Sequence, residues 1–436
     1  MDARIGYSTA SRSAARTVGT DNAISNIYVT NSDHPTFRRL LVHHNDRYQN
    51  GHLMEWNFVN SSLVEESEFY YFHRHGMMNH NGDSNVFRRN YFNSRGYADL
   101  PDGRYSDPTY TGDVGITTYP ATNSIIENNI GEGNSSTFDI QPDYGDAINN
   151  RYYGNISRDE GAFFAQARGN TLNRMARNTY FENLVSVPAS SANAYSFYVR
   201  DTKNTHCVNC SFLGALYGGL ADTQPGYAGD GAPTTYFTNV LSINHATAGF
   251  DISGQTDWAI DYSNAWSNAT NYSPYDSHVT NSISIDPKMG TCKVLVPDNS
   301  PMKRAGKNGA DIGANVLYRY QDGVLTTQPL WDPVTGRFPC GALVPGLNDV
   351  PGQSCFDVHQ RLNVNTNGCP FPQGYGGTTL RGDLNGDDKR DLVDVRLLIY
   401  MLIGQQAKTP EADLTGDGAV TLADVQALIR LLVGIP

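Results

Sequence analysis

Residues 234–244, TTYFTNVLSIN, show the pattern that decides the fold: a short alternating run, an asparagine, and a second short apolar run. The pattern recurs along the first 300 residues as VFRRNYF, SIIENNI, NNRYYGNIS, RNTYFENLVSV, HCVNCSF, DYSNAWSN and HVTNSISI. Its aligned positions are Asn90, Asn129, Asn155, Asn183, Cys210, Asn239, Asn264 and Asn281. From Asn129 onward they are 26, 28, 27, 29, 25 and 17 residues apart. A period of roughly 20–30 residues without intervening helices predicts a β-solenoid.

The period also separates the solenoid from the main alternative, an antiparallel sandwich. Strands of a sandwich recur about every 8–12 residues, which is much shorter than the spacing found here. In a solenoid, equivalent residues stack in ladders, and asparagine suits a turn because its amide bonds to the next turn and its backbone tolerates left-handed geometry. We therefore expect a parallel β-helix over residues 1–300 with one asparagine ladder. Residues 301–370 are expected to form a cysteine-containing closing region. Within it, residues 306–333 resemble the closing segments that follow β-helices of bacterial secreted proteins, which implies a cap over the last turn.

The composition agrees with an all-β protein and excludes several other classes. The 436 residues include 42 Gly, 40 Asn, 26 Tyr and 17 Phe, and only 17% are charged. These values exclude a coiled coil or helical bundle, and the many aromatic residues argue against disorder. A net charge of −12 argues against nucleic-acid binding. No apolar run approaches the roughly 18 residues of a membrane span, and the N-terminal residues contain no signal-peptide core.

The even number of cysteines is compatible with disulfides, although six thiols allow many pairings and the sequence does not choose among them. The cysteines are Cys207, Cys210, Cys292, Cys340, Cys355 and Cys369. Three of them lie within residues 340–369, a Gly- and Pro-rich stretch that disulfides would stabilise. We expect a secreted, extracellular protein whose signal peptide is absent from this sequence.

Residues 382–404 and 412–434 form an internal repeat in which 11 of 23 positions are identical. Each copy opens with an Asp-rich loop that reaches another Asp at loop position 12, and an apolar, helix-like run follows. Oxygen ligands at loop positions 1, 3, 5, 7, 9 and 12 can surround one Ca²⁺ ion. The candidate ligands are Asp383, Asn385, Asp387, the carbonyl of Lys389, Asp391 and Asp394 in the first copy, and Asp413, Thr415, Asp417, the carbonyl of Ala419, Thr421 and Asp424 in the second. The repeat therefore predicts two calcium sites.

This duplicated loop–helix unit resembles a dockerin domain over residues 381–436, after a linker at 371–380. The resemblance implies a small all-α domain with two EF-hand-like loops, which folds around calcium and docks onto a cohesin-like module or another protein. The partner-contacting loop positions of the family correspond here to two apolar pairs, at 392–393 and 422–423. Self-assembly is a further possibility that the sequence leaves open.

The repeated unit of the first 300 residues resembles the right-handed parallel β-helix of the pectate-lyase-like superfamily, over about residues 20–290. Enzymes of this superfamily mostly cleave acidic polysaccharides. Some act by β-elimination, in which a cation neutralises the uronate carboxylate and Arg, Lys, His or Tyr removes the adjacent proton. Others hydrolyse the glycosidic bond with paired carboxylates. The resemblance implies a polysaccharide lyase or a glycoside hydrolase, but a fold alone does not define a reaction.

The candidate catalytic residues come from residues 72–90, FHRHGMMNHNGDSNVFRRN, where basic side chains and histidines are densest. The Arg-His-Gly triplet resembles a stretch of alginate-lyase-like β-helices in which the arginine takes part in elimination. The candidates are therefore Arg74, His75 and His73. Strand alternation would send His73 and His75 to one face and Arg74 to the other, unless the strand ends there. The alternative is a solvent-exposed turn with no catalytic role.

A second cluster of polar residues consists of Asp201, Lys203 and His206, beside a Cys-x-x-Cys pair. Zinc binding would require further cysteine or histidine ligands, and a redox motif would be expected near a βαβ unit. Stacked cysteines or one disulfide therefore explain the pair better.

Two functional hypotheses remain. The first is a secreted protein that acts on or binds extracellular polysaccharide, with β-elimination of an acidic glycan as the reaction, tethered through the dockerin-like module. The second is a non-catalytic extracellular protein, either carbohydrate-binding or structural, in which the β-helix is a rigid rod and the calcium module a connector. The sequence does not decide between them.

Overall fold

The chain forms a parallel β-helix and a small helical C-terminal domain. The computed structural model describes residues 3–6, 25–43, 52–72, 74–94, 112–142, 145–158, 161–166, 174–187, 195–223, 234–252, 255, 257–336, 338, 357–366, 368–372, 375, 382–384, 390–406, 408, 412–415 and 419–433. Each turn of the β-helix, here called a rung, visits three parallel sheets in a fixed order, and we name them sheet 1, sheet 2 and sheet 3. This confirms the predicted parallel β-solenoid.

Within the described residues each of the three sheets contains ten strands, and each strand pairs in parallel with its equivalents in the neighbouring rungs. Sheet 1 consists of Ser25–Asp33, His52–Asn60, His75–His80, Gly112–Thr118, Asn134–Ile140, Gly161–Gln166, Tyr195–Arg200, Tyr217–Asp222, Ala248–Asp251 and Thr270–Ser273. Sheet 2 consists of Thr36–Arg38, Leu63–Glu65, Val86–Arg88, Ile125–Glu127, Arg151–Tyr153, Tyr180–Glu182, Thr205–Val208, Thr234–Thr238, Asp257–Asp261 and Val279–Thr280. Sheet 3 consists of Ala3–Gly6, Leu40–His43, Glu68–Tyr70, Tyr91–Asn93, Ile130–Glu132, Ile156–Arg158, Val185–Ser186, Ser211–Leu213, Leu241–Ile243 and Asn264–Trp266.

The remaining elements are short. Outside the three sheets, the described strands are the parallel pair Ala147–Ile148 and Ala176–Arg177 and the antiparallel pair Tyr318–Gln321 and Val324–Pro329. In the described part of the chain, the helices are a 3₁₀ turn at Lys307–Gly309 and the α-helices α1 (Val358–Leu362), α2 (Leu392–Leu402) and α3 (Leu422–Leu432). Among the helices described, none combines the length and apolar character that crossing a membrane requires.

A stack of aromatic and aliphatic side chains fills the interior of the β-helix, because the strands of every rung direct apolar residues inward. Phe69 and Phe92 stack with their ring centroids 4.8 Å apart, and Tyr152 and Phe181 stack at 4.4 Å. Trp56 is completely buried in the same cluster. Burying one such side chain stabilises the fold by about 1.5–3 kcal/mol, so this column holds the rungs in register.

The turn between sheets 2 and 3 contains the asparagine ladder at two adjacent positions. At the inner, buried position the backbone N–H of Asn129 donates to Oδ1 of Asn155 at 2.9 Å, and that of Asn90 donates to Asn129 at 3.0 Å. At the preceding position the backbone is left-handed, with φ of 56° at both Asn183 and Asn239. The left-handed position also bonds across rungs, since the side-chain amide of Asn239 donates to Asn209 at 2.9 Å.

The single ladder predicted from the sequence is therefore wrong by one residue at several positions. Asn281 also occupies the left-handed position, with φ of 49°. Cys210 occupies the inner position, directly after left-handed Asn209, and Asn264 begins the sheet 3 strand instead. A spacing pattern alone does not distinguish two adjacent turn residues that have different backbone conformations.

A second asparagine ladder, which the sequence analysis missed, lies at the turn between sheets 1 and 2. The side-chain amide of Asn149 donates to Asn123 at 3.2 Å, that of Asn178 to Asn149 at 3.1 Å, and that of Asn204 to Asn178 at 2.8 Å. All of these bonds are solvent-exposed and join neighbouring rungs. The β-helix is therefore stabilised along two of its corners.

Replacing Asn129 with alanine is expected to lower the free energy of unfolding by about 2–3 kcal/mol, because it leaves buried N–H groups without an acceptor. Its Oδ1 accepts from both the backbone and the side chain of Asn90, and its Nδ2 donates to the carbonyl of Phe87 at 2.9 Å. The matched control is Asn178→Gly in the exposed ladder, where water replaces the lost bonds and glycine tolerates the left-handed φ of 53°. Chemical denaturation of both variants measures the difference, and equal losses would contradict this account.

Residues 289–336, here called the side segment, pack against the outer face of sheet 3. Backbone N–H groups of the side segment donate to asparagine side-chain oxygens of the turn: Lys307 to Asn239 at 2.7 Å, Asn315 to Asn183 at 3.1 Å and Tyr320 to Asn128 at 2.6 Å. The segment therefore runs back along the β-helix from later rungs to earlier ones. Our expectation that residues 306–333 cover the last rung is wrong, because the left-handed asparagines offer acceptors along the side of the helix.

Glu68 is buried on the outer face of sheet 3, in register between Leu41 and Tyr91. Burial raises the pKa of its carboxyl group to about 7, with a smaller opposing effect from Tyr70. The protonated form is thus favoured in the folded chain relative to the unfolded chain. Stability from this group is present at low pH and decreases as the pH rises from about 4.5 to about 7.

Glu68→Gln is expected to stabilise the protein at pH 8 by up to about 3 kcal/mol and to have little effect at pH 4, because glutamine imitates the protonated acid. Thermal melting of the variant and the native chain across this pH range measures the effect. The matched control is the neighbouring, half-buried Glu66→Gln. A variant that melts in parallel with the native chain at every pH would disprove the role of Glu68.

Two disulfides lie within the described residues. One joins Cys207 and Cys210 within a single rung, and the other joins Cys292 of the side segment to Cys369, 77 residues later. A link across so long a stretch restricts the unfolded chain and so favours the folded state. Cys340 and Cys355 lie outside the described residues.

Candidate active site on sheet 1 and candidate calcium loops

The outer face of sheet 1 holds two stacked histidines. A Cβ added to Gly76 would lie 2.6 Å from the ring of core residue Phe92, so the preceding residue, His75, points to the outer side. The ring of His75 stacks on that of His52 in the preceding rung, with centroids 4.7 Å apart. Both residues are buried. The pair places imidazole groups on a face whose neighbouring side chains are also polar.

Tyr119 brings Arg74 onto this same face. Nη2 of Arg74 donates to the Tyr119 hydroxyl at 3.2 Å, and the Tyr119 ring lies 6.1 Å from His75 and 5.4 Å from His80. The strand begins at His75, so Arg74 lies outside the strand alternation. Two of the three predicted catalytic residues therefore lie together, whereas His73 lies outside the described residues.

Carboxylates lie on the two sides of this cluster. Burial raises the pKa of Glu55, while the hydroxyl of Ser25, which donates to it at 2.6 Å, lowers it. Asp139 is buried and accepts a hydrogen bond from Gln141. Glu55 and Asp139 occupy the same column three rungs apart, which is about 14 Å at roughly 4.8 Å per rung. Paired-carboxylate hydrolysis needs about 5–9.5 Å, so these two acids do not form such a pair.

The later rungs of the same face carry tyrosines and an ion pair. Arg200 binds Asp222 through two bonds, Nε at 2.8 Å and Nη2 at 2.9 Å, and the Tyr198 hydroxyl donates to Asp222 at 3.2 Å. The rings of Tyr195 and Tyr217 stack with centroids 5.7 Å apart. Tyrosines combined with charged groups can contact both the apolar and the hydroxyl surfaces of a sugar.

The arginines at the end of residues 72–90 lie away from this face. Nε of Arg88 is 2.6 Å from Oε2 of Glu65, and Nη2 of Arg89 is 3.0 Å from the same oxygen. Arg88 also pairs with Asp322 of the side segment at 3.0 Å. These buried charges hold the side segment against the rungs. The dense basic cluster seen in the sequence is therefore divided between a structural ion-pair network and the outer face of sheet 1.

The second polar cluster of the sequence does not form a common site in the described structure. His206 stacks on Tyr236, with centroids 4.8 Å apart, and its Nε2 lies 2.7 Å from Oδ1 of Asn204. Burial lowers the pKa of this histidine. Asp201 is buried at a turn, and the neighbouring cysteines are joined as a disulfide. These contacts are typical of rung packing.

The second calcium-type loop brings four of its predicted ligands together, with the Thr421 hydroxyl 3.3 Å from Oδ2 of Asp424. The Thr415 hydroxyl donates to Oδ1 of Asp424 at 3.0 Å and lies 3.3 Å from Oδ1 of Asp413. The Thr421 backbone N–H donates to Oδ2 of Asp424 at 2.7 Å, and this contact is part of the capping box that begins α3. Loop positions 1, 3, 9 and 12 thus converge through oxygen atoms, which are the ligands that calcium prefers.

The first loop has the same construction where it is described. Oδ2 of Asp394 accepts from the Asp391 backbone at 2.8 Å, and its Oδ1 accepts from Leu384, beside Asp383, at 2.8 Å. Asp383 and Asp394 are both buried. The middle ligands of both loops lie outside the described residues: Asn385, Asp387, Lys389 and Asp417. Over the described part of the chain, no group of three or more His, Cys, Asp or Glu side chains is placed to hold a metal.

Sequence reasoning did not find His52, Glu55, Tyr119 or Asp139 as members of the site. They come from three rungs, with His52 and Glu55 on one strand, and strand register alone aligns these rungs with that of His75. The only available signal was the similarity of the strands HLMEWNFVN and HGMMNH, whose first histidines pair in register.

Comparison with known proteins agrees with this arrangement at the C-terminus. Residues 381–433 match the family described as Dockerin type I domain. No curated protein was found to match the chain. Among solved structures, the chain is similar to one described as the crystal structure of pectate lyase Pel9A, with a TM-score of 0.39 and 13% sequence identity over 69% of this chain and 84% of that chain.

The chain is therefore a parallel β-helix protein with a dockerin type I domain at its C-terminus. Dockerin type I domains bind calcium, and dockerins dock onto cohesin modules. The apolar residues of α2 and α3 that face each other form a small core of their own, which includes Val395, Leu398, Val425 and Leu428.

Proposed function

We propose that this protein is an extracellular lyase that cleaves an acidic polysaccharide by β-elimination on the outer face of sheet 1. The observation that carries the proposal is the convergence of Arg74, His75 and Tyr119 on that face, beside His80. Such a combination supplies a fixed cation, a base and a hydroxyl proton donor, which are the groups that this reaction needs.

Each group has a distinct task in the reaction. Arg74 binds the uronate carboxylate, because its guanidinium group stays charged and its planar fork matches a carboxylate. His75 accepts the proton from the carbon beside the carboxyl group. A carbon–carbon double bond forms as the bond to the glycosidic oxygen breaks, and Tyr119 donates a proton to the departing oxygen. Burial lowers the pKa of His80, so this ring contributes no positive charge to the site at neutral pH.

The two calcium loops and the partner belong to the same proposal. Asp383, Asn385, Asp387, Asp391 and Asp394 would bind one Ca²⁺ ion with the Lys389 carbonyl, and the equivalent set from Asp413 to Asp424 would bind the second. The dockerin domain would then attach the lyase to a cohesin-like module outside the cell. The support is the family match, the convergence of oxygen ligands in the second loop, and the burial of Asp383 and Asp394 in the first.

Polygalacturonate and alginate serve as test substrates, with product followed by the ultraviolet absorbance of the new double bond. His75→Asn is expected to lower the rate at least about a hundredfold. Half-buried His278→Asn, at the edge of sheet 2, is the matched control and should retain full activity. If the native chain produces no absorbance with either polymer, catalysis of this kind is disproved for these substrates.

A second function is carbohydrate binding without cleavage. The later rungs favour it, because Tyr195, Tyr198 and Tyr217 lie beside the Arg200–Asp222 ion pair. Binding alone would retard the protein in a gel containing the polymer while leaving the polymer length unchanged. Chain-length analysis of the recovered polymer therefore separates a lyase from a binding protein.

A further inference from the structure

Phe58 has a backbone conformation that aromatic residues rarely adopt. Its φ is 55°, in the left-handed region that favours glycine, asparagine and aspartate. The equivalent positions of the neighbouring rungs are both asparagine, Asn31 with φ of 48° and Asn81 with φ of 53°. At this turn the left-handed backbone is therefore strained at Phe58 but not at the two asparagines. Backbone strain of this kind is concentrated at functional sites.

The left-handed residue also turns the Phe58 ring outward. Trp56 and Val59 both lie in the core, although regular alternation would place residues 56 and 59 on opposite faces. The strand changes face at Phe58, as it does at Asn31 and Asn81 in the neighbouring rungs, and Phe58 is 52% exposed. An exposed ring buries little apolar surface, so core packing does not explain why a phenylalanine occupies a strained position.

A second exposed ring lies one strand away. Tyr28 is 54% exposed and lies in register with Glu55. Its hydroxyl accepts from the side-chain amide of Asn57 at 3.3 Å, and Asn57 pairs in register with His80. The two exposed rings therefore adjoin the cluster to which we assign catalysis, on the same face of sheet 1.

We propose that Phe58 and Tyr28 form a platform on which one pyranose ring of the polysaccharide stacks, next to the cleavage site. This inference rests on the proposed function. The occupant is a sugar ring because the platform is continuous with the polar cluster of the same face, and the C–H surface of a pyranose is an apolar partner for an aromatic ring. The platform then positions the polymer along the rungs and contributes to the choice of substrate.

The test uses the full chain with Phe58→Asn, which installs the residue found at this position in both neighbouring rungs. We expect the melting temperature to rise by about 1–3 °C as the strain is relieved. We also expect KM for polygalacturonate or alginate to rise roughly three- to tenfold, because the stacking surface is lost. Phe58→Tyr keeps the ring and is the matched control, with KM expected to remain near the native value.

Opposite changes in stability and substrate affinity would support the platform. A variant that is more stable but has unchanged KM would overturn it, and so would a variant that is less stable, since the ring would then serve packing. If the native chain neither binds nor cleaves either polymer, both this inference and the proposed function fail. If the native chain cleaves and Phe58→Asn behaves identically, only the platform fails.

Discussion

Removing calcium from the full chain is expected to unfold the dockerin domain and to abolish capture by a cohesin-like partner. The buried apolar cluster shared by α2 and α3 is small, and a domain of about 55 residues with so small a core is only marginally stable without a bound metal or a disulfide. The carboxylates of each loop would repel one another once the ion is removed, while the capping boxes of both helices depend on the same Asp394 and Asp424. Loss of the ion therefore weakens the loops and the helix starts together.

The measurement is isothermal titration of calcium into the full chain, combined with far-ultraviolet circular dichroism. Two ions should bind to the C-terminal domain of the native chain, one fewer to Asp383→Ala or Asp413→Ala, and two fewer to the double variant. The control is Asp298→Ala, an exposed aspartate of the side segment that should leave the stoichiometry unchanged. A double variant that retains helix content and native calcium uptake would show that these loops are ordinary turns.

Arg74→Ala is expected to reduce cleavage of the polymer by about a hundredfold to ten-thousandfold, because the uronate carboxylate loses the cation that stabilises the developing charge. Arg74→Lys should recover part of the rate, since it keeps the charge but loses the planar fork. The readout is kcat/KM from the absorbance of the unsaturated product. Arg304→Ala, an exposed arginine of the side segment, is the matched control and should act as the native chain does.

A companion variant, Tyr119→Phe, separates the role of the hydroxyl from that of the ring. Tyr119 accepts the hydrogen bond from Arg74, so its loss is expected to lower kcat while leaving the ring contacts with His75 and His80 in place. If Arg74→Ala and Tyr119→Phe both leave kcat/KM unchanged, the reaction takes place elsewhere on the molecule and the proposed cluster is wrong.

The fold could be predicted because a rung has a nearly constant length. Three short strands and their turns take about the same number of residues each time, so any residue tied to a turn recurs with that period. The duplicated Asp-rich loops were equally visible, since each holds all its ligands within twelve residues. In both cases the information is local in sequence and repeated.

What could not be predicted depends on contacts between distant rungs. The Asn183 amide oxygen accepts a hydrogen bond from the backbone N–H of Asn315, 132 residues later, and no local sequence pattern predicts that bond. The site also depends on a contact between residues distant in sequence, because Arg74 bonds to Tyr119, 45 residues later. Periodicity assigned residues to rungs, but it did not define which of two adjacent turn residues faces inward, nor which columns share a face.

The side segment should alter how the β-helix unfolds under mechanical force. A β-helix whose rungs contact only adjacent rungs can unfold from either end. Here the side segment bonds to several rungs, from that of Asn239 back to that of Asn128. Separating one rung from the next therefore also requires breaking its hydrogen bonds to the side segment. The β-helix would therefore resist mechanical load as one unit, with its rungs and the side segment unfolding together.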